Sequence, residues 1–307
     1  MILLKIRGVT KQFNTTVVLD NVSLDILEGE IFGIIGINGS GKTTLLKLIV
    51  GYYKPTKGSI SYFDTDIQKL PLRAKRTIGF TTQDNSFYPR LTVEENIRYF
   101  ASLYGLNNNE INHHTERVLA LLDILEVRHM ISEHLSGGMQ RRLDMACSLV
   151  HDPKLLILDE PTEDLDPLLR RDILHLIKRI NQLGTTVIIT SHLLGDVEHL
   201  CDRVAILHDS KLLRVGTINE FKSLSTTPAE LHLETIHKDY DALVRDLNLK
   251  TFFVENGRLV IYTDHPQELL EAILRILKNQ RDSILYIDIK QPSLQELFEE
   301  MTDKKWL

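Results

Sequence analysis

Apolar residues fall in short runs along this chain, and their spacing changes from one region to the next. In the first sixty residues "LLKIRGV" and "VSLDIL" read as short strands, and "EIFGIIG" has the unbroken apolar character of a strand buried on both faces. That third run leads straight into a glycine-rich loop. After it, "KTTLLKLIVG" has helical spacing and closes at Gly51. Residues 85–150 turn helical: "TVEENIRYFASLYG" opens with Thr92 and Glu95 in capping-box spacing and ends at Gly105, and "NEINHHTERVLALLDILEV" is amphipathic. Strand character returns at "KLLILDE", followed by a helix, "DPLLRRDILHLIKRINQLG", and a strand, "TTVIITS". This alternation predicts a parallel sheet with helices on its faces. "RVAILHDSKLLRVGT" reads as a hairpin turning at Asp209–Ser210.

A polar, Ser/Thr/Pro-rich stretch, "KSLSTTPAE", reads as a linker. The pattern beyond it is strand 230–235, helix 238–247, strand 250–255, strand 258–263, helix 266–279, strand 283–289 and helix 293–302. Asn256–Gly257 is a hairpin signal between the middle strands. The βαββαβ order predicts a small ferredoxin-like domain. Some RNA-binding modules share that order, but the aromatic-basic strand on which bases stack is missing, and residues 229–307 hold 15 acids against 10 bases.

A chain of 307 residues accommodates one large domain with a smaller one beside it, and 43% hydrophobic with 25% charged residues is an ordinary globular balance. The net charge of −6 argues against an electrostatic nucleic-acid binder. Cys147 and Cys201 sit inside apolar helical patterns and read as buried reduced thiols. His113 and His114 are sequence neighbours on a helix, pointing about 100° apart, which fits a solvated face better than a metal site. The opening "MILLKIRGVTKQF" is too short and too charged for a signal peptide, and no run is apolar enough to span a bilayer. Any membrane role is therefore expected to come through a partner chain.

The chemistry concentrates in three places. "GINGSGKTT", Gly36 to Thr44, matches G-x-x-x-x-G-K-[ST] between a buried strand and a helix. In such a loop Gly36, Gly39 and Gly41 let backbone N–H groups curl around phosphates, with Asn38, Ser40 and Thr44 in the same run. Lys42 bridges the β- and γ-phosphates of ATP and the Thr43 hydroxyl holds Mg²⁺. Further on, "LLILDE" ends a buried strand with Asp159, the group that positions Mg²⁺ in this nucleotidase class, and Glu160, able to polarise an attacking water. No Asn-Lys-x-Asp stretch marks a GTPase, and no acceptor site or lid marks a kinase. The third place is "LSGGMQRRL", a Ser-Gly-Gly helix start and so a second anion receptor.

"LSGGMQRRL" just upstream of "LLILDEPTEDLD", with "TSH" beyond, resembles the ATP-binding subunit of an ABC transporter, over residues 1–225. The resemblance implies an α/β fold: a P-loop NTPase with a mixed, mainly parallel sheet, an antiparallel N-terminal β subdomain and a helical subdomain inserted at 85–150. This ATP-binding domain would cover 1–221, followed by a linker at 222–228 and a small α+β, ferredoxin-like C-terminal domain at 229–307. It also implies a head-to-tail pair in which the Ser-Gly-Gly start of one copy receives the γ-phosphate of ATP held by the other.

Residue by residue, Phe13 matches the aromatic that stacks on adenine, or is a core residue. Gln83 in "GFTTQD" matches the glutamine that contacts Mg²⁺ and water. Ser136, Gly137 and Gly138 supply a hydroxyl and N–H donors, with Gln140 beside them. Asp166 matches the aspartate that reaches across the dimer, and His192 in "TSH" matches the histidine that holds the γ-phosphate and orients Glu160. "PTEDLDP" departs from the pattern: Glu163 and Asp164 stand where the family carries small residues, and they either weaken closure or pair with basic residues of the partner.

Gln83 and "SFYPRLTVEEN" would form the groove for a membrane subunit's coupling helix. "LTVEENIRYFASLYG", "LCDRVAILHDSKLLRVGT" and "IKQPSLQELFEEMT" resemble the exporter branch with separate membrane chains. The expectation is therefore an ATPase with ATP and Mg²⁺, paired with a second copy and an integral membrane subunit and peripheral on the cytoplasmic face of the membrane. It would not bind nucleic acid. The rival class is a soluble ABC ATPase acting on nucleic acid or ribosomes, which would join two ATP domains in one chain or insert a long coiled coil.

Overall fold

A computed structural model describes residues 1–223 and 228–302, with the side chains of 300–302 left aside. The chain divides into two compact units, Met1–Ile218 and Asn219–Leu307. The division falls a little ahead of the boundary expected at 221. Of the linker expected at 222–228, Lys222 ends a helix and residues 224–227 lie outside the described residues.

The first unit begins with β1 (Ile2–Phe13), β2 (Thr16–Leu27) and β3 (Ile31–Ile35), then α1 (Lys42–Ile49). β4 (Lys57–Tyr62), β5 (Thr65–Asp66), α2 (Leu72–Lys75) and β6 (Ile78–Thr81) follow. Three helices come next: α3 (Val93–Leu103), α4 (Asn108–Leu121) and α5 (Gly137–Leu149). β7 (Leu155–Leu158), α6 (Pro167–Gln182), β8 (Thr186–Ser191), α7 (Leu194–Leu200), β9 (Arg203–His208) and β10 (Lys211–Thr217) complete it.

Two sheets result. The antiparallel one runs β2-β1-β4-β5, and the mixed one runs β10-β9-β3-β8-β7-β6, parallel except for the β9–β10 hairpin. Every residue of β3, β7 and β8 is buried, which is why β3 and β7 read as unbroken apolar runs, while β8 also buries Thr186, Thr190 and Ser191. α1 lies between the sheets: its Leu45, Leu46, Leu48 and Ile49 share one core with Leu4, Ile6 and Ile60 of the antiparallel sheet and Phe32, Ile34, Ile157 and Ile188 of the mixed one. The β9–β10 turn falls at Asp209–Ser210, both left-handed, as the sequence predicts.

β1 and β2 extend further than the apolar pattern predicts, meeting in a tight turn at Asn14–Thr15. The outer arms of this hairpin are largely exposed, so they leave no hydrophobic periodicity to read. α3 carries the Thr92–Glu95 capping box, and α4 carries a second between Asn107 and Glu110, each cap worth ~1 kcal/mol. His114 is not simply solvated: its Nδ1 lies 2.7 Å from the Val150 carbonyl oxygen, at the end of α5. Both cysteines are free and buried.

In the second unit, α8 (Ile218–Lys222), which begins at the division, precedes β11 (Ala229–Thr235), α9 (Tyr240–Asp246), β12 (Phe252–Glu255) and β13 (Arg258–Thr263). α10 (Pro266–Gln280), β14 (Ile284–Lys290) and α11 (Leu294–Thr302) end the described chain. The sheet is fully antiparallel in the order β12-β13-β11-β14, the ferredoxin-like arrangement expected from βαββαβ. Asn256 and Gly257 form its hairpin turn with φ of 51° and 78°.

Candidate active site

β6, β7, β8 and β3 are neighbours in the mixed sheet and run parallel, so their carboxyl ends share one edge. Side chains that follow those ends meet there, the usual place for a ligand crevice in such a sheet. The glycine loop leaves β3, Gln83 follows β6, Asp159 and Glu160 follow β7, and His192 follows β8. A cleft of about 390 Å³ opens at this edge, lined by Val18, Asn38, Gly39, Gly41, Lys42, Thr43, Thr44, Gln83 and Glu160.

The loop's shape demands its glycines. A Cβ on Gly36 would sit 2.3 Å from the Leu207 carbonyl oxygen and 2.5 Å from Ser40 Oγ, and Gly41 has φ of 105°. Lys42, only 6% exposed, donates from Nζ to the Gly36 carbonyl at 2.8 Å and lies 3.1 Å from Glu160 Oε1. The other carboxylate oxygen of Glu160, Oε2, lies 3.0 Å from His192 Nδ1 and accepts from the His192 backbone N–H at 3.3 Å. Glu160 is thus held between a cation and an imidazole, on a left-handed backbone with φ of 49°. That is a costly conformation for a residue with a Cβ, and one that such sites retain.

Asp159 is 1% exposed; its Oδ1 accepts from the Thr190 hydroxyl at 2.6 Å, while Oδ2 is buried with no hydrogen-bond partner. A buried anionic oxygen left in that state is costly unless a cation meets it. With the Thr43 hydroxyl in the cleft lining, this donor set fits a small divalent cation that takes its other ligands from nucleotide and water. No cluster of three His, Cys, Asp or Glu residues suited to a metal occurs among the described residues. Ser40 Oγ is likewise buried without a partner.

Gln83 donates from Nε2 to Glu163 Oε2 at 2.6 Å. Phe13 does not line the cleft: it stands 37% exposed near the turn of the first hairpin, edge-on to Tyr53 at 5.1 Å, with Lys11 Nζ 4.7 Å from its ring centre.

Ser136, Gly137, Gly138 and Gln140 are also absent from the cleft lining. Ser136 caps α5, its hydroxyl accepting from the Met139 N–H at 3.4 Å, and a Cβ on Gly137 would meet nothing within 4 Å. Asp166 caps α6 by accepting from Leu168 and Leu169 N–H. α5 is tied to the segment after β6: Arg141 lies within 3.5 Å of the Thr82 and Gln83 carbonyls, and Asp144 Oδ1 accepts from Ser86 N–H at 2.9 Å. Burial pushes the Asp144 carboxyl up to about 6, against the Ser86 hydrogen bond and Arg141, which pull it down.

Sequence reasoning passed over Thr190. Its buried hydroxyl also accepts from the Glu160 N–H at 2.9 Å, so one side chain holds the Asp159 carboxylate and the Glu160 backbone. The available signal was a Thr within a fully buried strand, a polar group that must find a partner. Val18, which lines the cleft, carries no such signal, because it lies on the outer arm of the first hairpin beyond the apolar pattern.

Comparison with known proteins identifies the family. Residues 19–163 match the ABC transporter family model. The chain is 31% identical over 307 residues to the linearmycin resistance ATP-binding protein LnrL of Bacillus subtilis, covering 98% of this chain and 99% of that one. It is 28% identical over 297 residues to the bacitracin transport ATP-binding protein BcrA of Bacillus licheniformis, covering 96% of each. Among solved structures, a dimeric ATP-binding cassette in a post-hydrolysis state with ADP and Pi superposes with a TM-score of 0.64 at 28% identity, covering 70% of this chain and 99% of that one. The cbiO1 subunit of Clostridium perfringens, part of the ABC transporter complex cbiONQ, gives 0.66 at 27% identity over 80% of this chain and 94% of that one. Matched over nearly its whole length by such a relative, the chain belongs to the ATP-hydrolysing, ATP-binding subunits of ABC transporters.

Proposed function

We propose that this subunit powers export of a drug-like or lipid-like molecule through a separate membrane chain, working as a head-to-tail pair on the cytoplasmic face of the membrane. Export is favoured by relatives named for linearmycin resistance, bacitracin transport and Nod factor export. A separate membrane chain is needed because no helix among the described residues is long and apolar enough to cross a bilayer.

The placement of Glu160 carries the catalytic reading. ATP enters with its phosphates against the loop N–H groups, and its terminal phosphate draws Lys42 away from Glu160. Glu160, oriented by His192, then accepts a proton from the attacking water, while Lys42 balances charge on the leaving phosphate. Thr43, Asp159 and Gln83 would hold Mg²⁺, which would supply further charge neutralisation when bound. Phe13 offers its exposed face to adenine.

The Ser136 helix start stands outside its own chain's cleft and open at Gly137, as a receptor for the partner's γ-phosphate should. Asp166 would lie at the same seam. Hydrolysis removes the bridge, the pair opens, and the Gln83–Ser86 segment, tied to α5 by Arg141 and Asp144, passes the motion to the membrane chain.

Glu160→Gln tests the scheme. The variant is expected to bind ATP normally, accumulate as a closed dimer on gel filtration, and hydrolyse ATP about a thousandfold more slowly. Turnover within about threefold of native would remove Glu160 from the catalytic role. Co-purification of an integral membrane chain from detergent extracts tests the partner.

A further inference from the structure

Glu163 is one of the two positions, with Asp164, at which "PTEDLDP" departs from the resembled pattern, and the structure shows what it touches. It sits on the turn between β7 and α6, bracketed by left-handed residues Glu160 and Asp164, with φ of 49° and 59°. The Glu163 N–H donates to the Glu160 carbonyl at 3.2 Å. An Asp is tolerated at the left-handed position 164. The turn carries the Glu163 side chain to Gln83, whose Nε2 donates to it at 2.6 Å.

A carboxylate only accepts hydrogen bonds, whereas a glutamine amide has a donating and an accepting end. Only the nitrogen of Gln83 can face Glu163; two oxygens at 2.6 Å would repel. The amide plane then turns Oε1, the one side-chain atom of Gln83 able to bind a cation, away from Glu163. The backbone of the same residue is held separately, its carbonyl lying within 3.5 Å of both terminal nitrogens of Arg141.

We propose that Glu163 is a positioning residue that sets the amide orientation of Gln83, so that its carbonyl oxygen is presented to the nucleotide-bound divalent cation. This rests on the reading of Gln83 as a magnesium contact. A small residue at 163 leaves the amide free to flip, so this chain has a preset cation contact where a Ser or Gly would leave an adjustable one.

Mn²⁺ is the probe, with its binding in the presence of ATP followed by electron paramagnetic resonance in a Glu160→Gln background that prevents turnover. Glu163→Gln still accepts through its own amide oxygen and should bind Mn²⁺ within about twofold of the background protein. Glu163→Ala should bind about threefold more weakly, because the amide is free to flip. Glu163→Lys, a donor only, should reverse the amide and weaken binding by about tenfold, the size of one charge-assisted hydrogen bond. ATP binding without a divalent ion should be unchanged in all three, showing that the loop remains folded.

Gln83→Ala should itself weaken Mn²⁺ binding by about tenfold and reduce the further effect of Glu163→Lys to no more than about twofold. If Glu163→Lys keeps its full effect without the amide, it acts through charge alone and the positioning role is overturned. If Gln83→Ala is impaired but Glu163→Lys binds normally, the positioning role fails while the magnesium reading of Gln83 stands. If Gln83→Ala binds Mn²⁺ as tightly as the background protein, that reading fails and the inference with it.

Discussion

Thr190→Val removes a single oxygen from the molecule and keeps the shape and β-branching of the strand residue. The native hydroxyl donates to Asp159 Oδ1 at 2.6 Å and accepts from the Glu160 N–H at 2.9 Å, and Thr190 is fully buried. Losing a hydrogen bond to a charged group costs about 1.5–3 kcal/mol, and leaving a buried N–H without an acceptor costs about 1–3 kcal/mol more. Water cannot easily repair either loss, because Asp159 is 1% and Glu160 6% exposed. The valine variant should therefore lose roughly 3–5 kcal/mol, or about 6–20 °C in the melting temperature of a unit this size. Thr190→Ser keeps the hydroxyl and deletes one methyl, for about 0.5–1.5 kcal/mol. Differential scanning calorimetry of both variants against the native protein separates the two contributions. A valine variant that melts within about 3 °C of the serine variant would refute the reasoning, since the hydroxyl would then carry no measurable share.

Asp144 makes stability depend on pH. Its folded value is pushed up to about 6 from an ordinary 3.8, so between these values the folded chain binds the extra proton and stability falls as pH rises through the window. Asp144→Asn keeps an acceptor for Ser86 N–H and does not titrate; relative to native it should gain about 2.5 kcal/mol between pH 4 and pH 7.5, measured by calorimetry at the two pH values. A gain that does not change with pH would contradict this. His151, which burial pulls down to about 4, has the opposite slope, but it is present in both proteins and cancels. Gly36→Ala places a methyl 2.3 Å from a backbone carbonyl and should abolish nucleotide binding in titration calorimetry while the second unit still melts normally. Phe13→Ala should weaken ATP binding by roughly threefold to tenfold, with Phe13→Trp near native, if the exposed ring stacks on adenine; equal affinity in all three would return Phe13 to a packing role.

Much of this molecule is written locally in its residues. Gly36–Thr44 announces a phosphate loop because only that density of glycine lets the backbone turn so tightly into a helix. Thr92–Glu95 and Asn256–Gly257 specify a helix start and a hairpin through contacts within four residues, and the structure has both. The unbroken apolar runs of β3 and β7 declare burial on two faces. Such features depend on backbone sterics and nearest-neighbour hydrogen bonds, which travel with the sequence.

The order β10-β9-β3-β8-β7-β6 is not written anywhere along the chain. It follows from which apolar faces pack against α1 and the flanking helices, and it alone brings the ends of β6, β7, β8 and β3 to one edge. From that edge come the Lys42–Glu160–His192 contact, the double use of Thr190, and the meeting of Gln83 with Glu163 across a sequence separation of 80. The residue types that do chemistry are legible because each must carry its own functional group. Their partners are not, because any hydroxyl or carboxylate brought within 3 Å would serve, and only the packed core determines which one arrives.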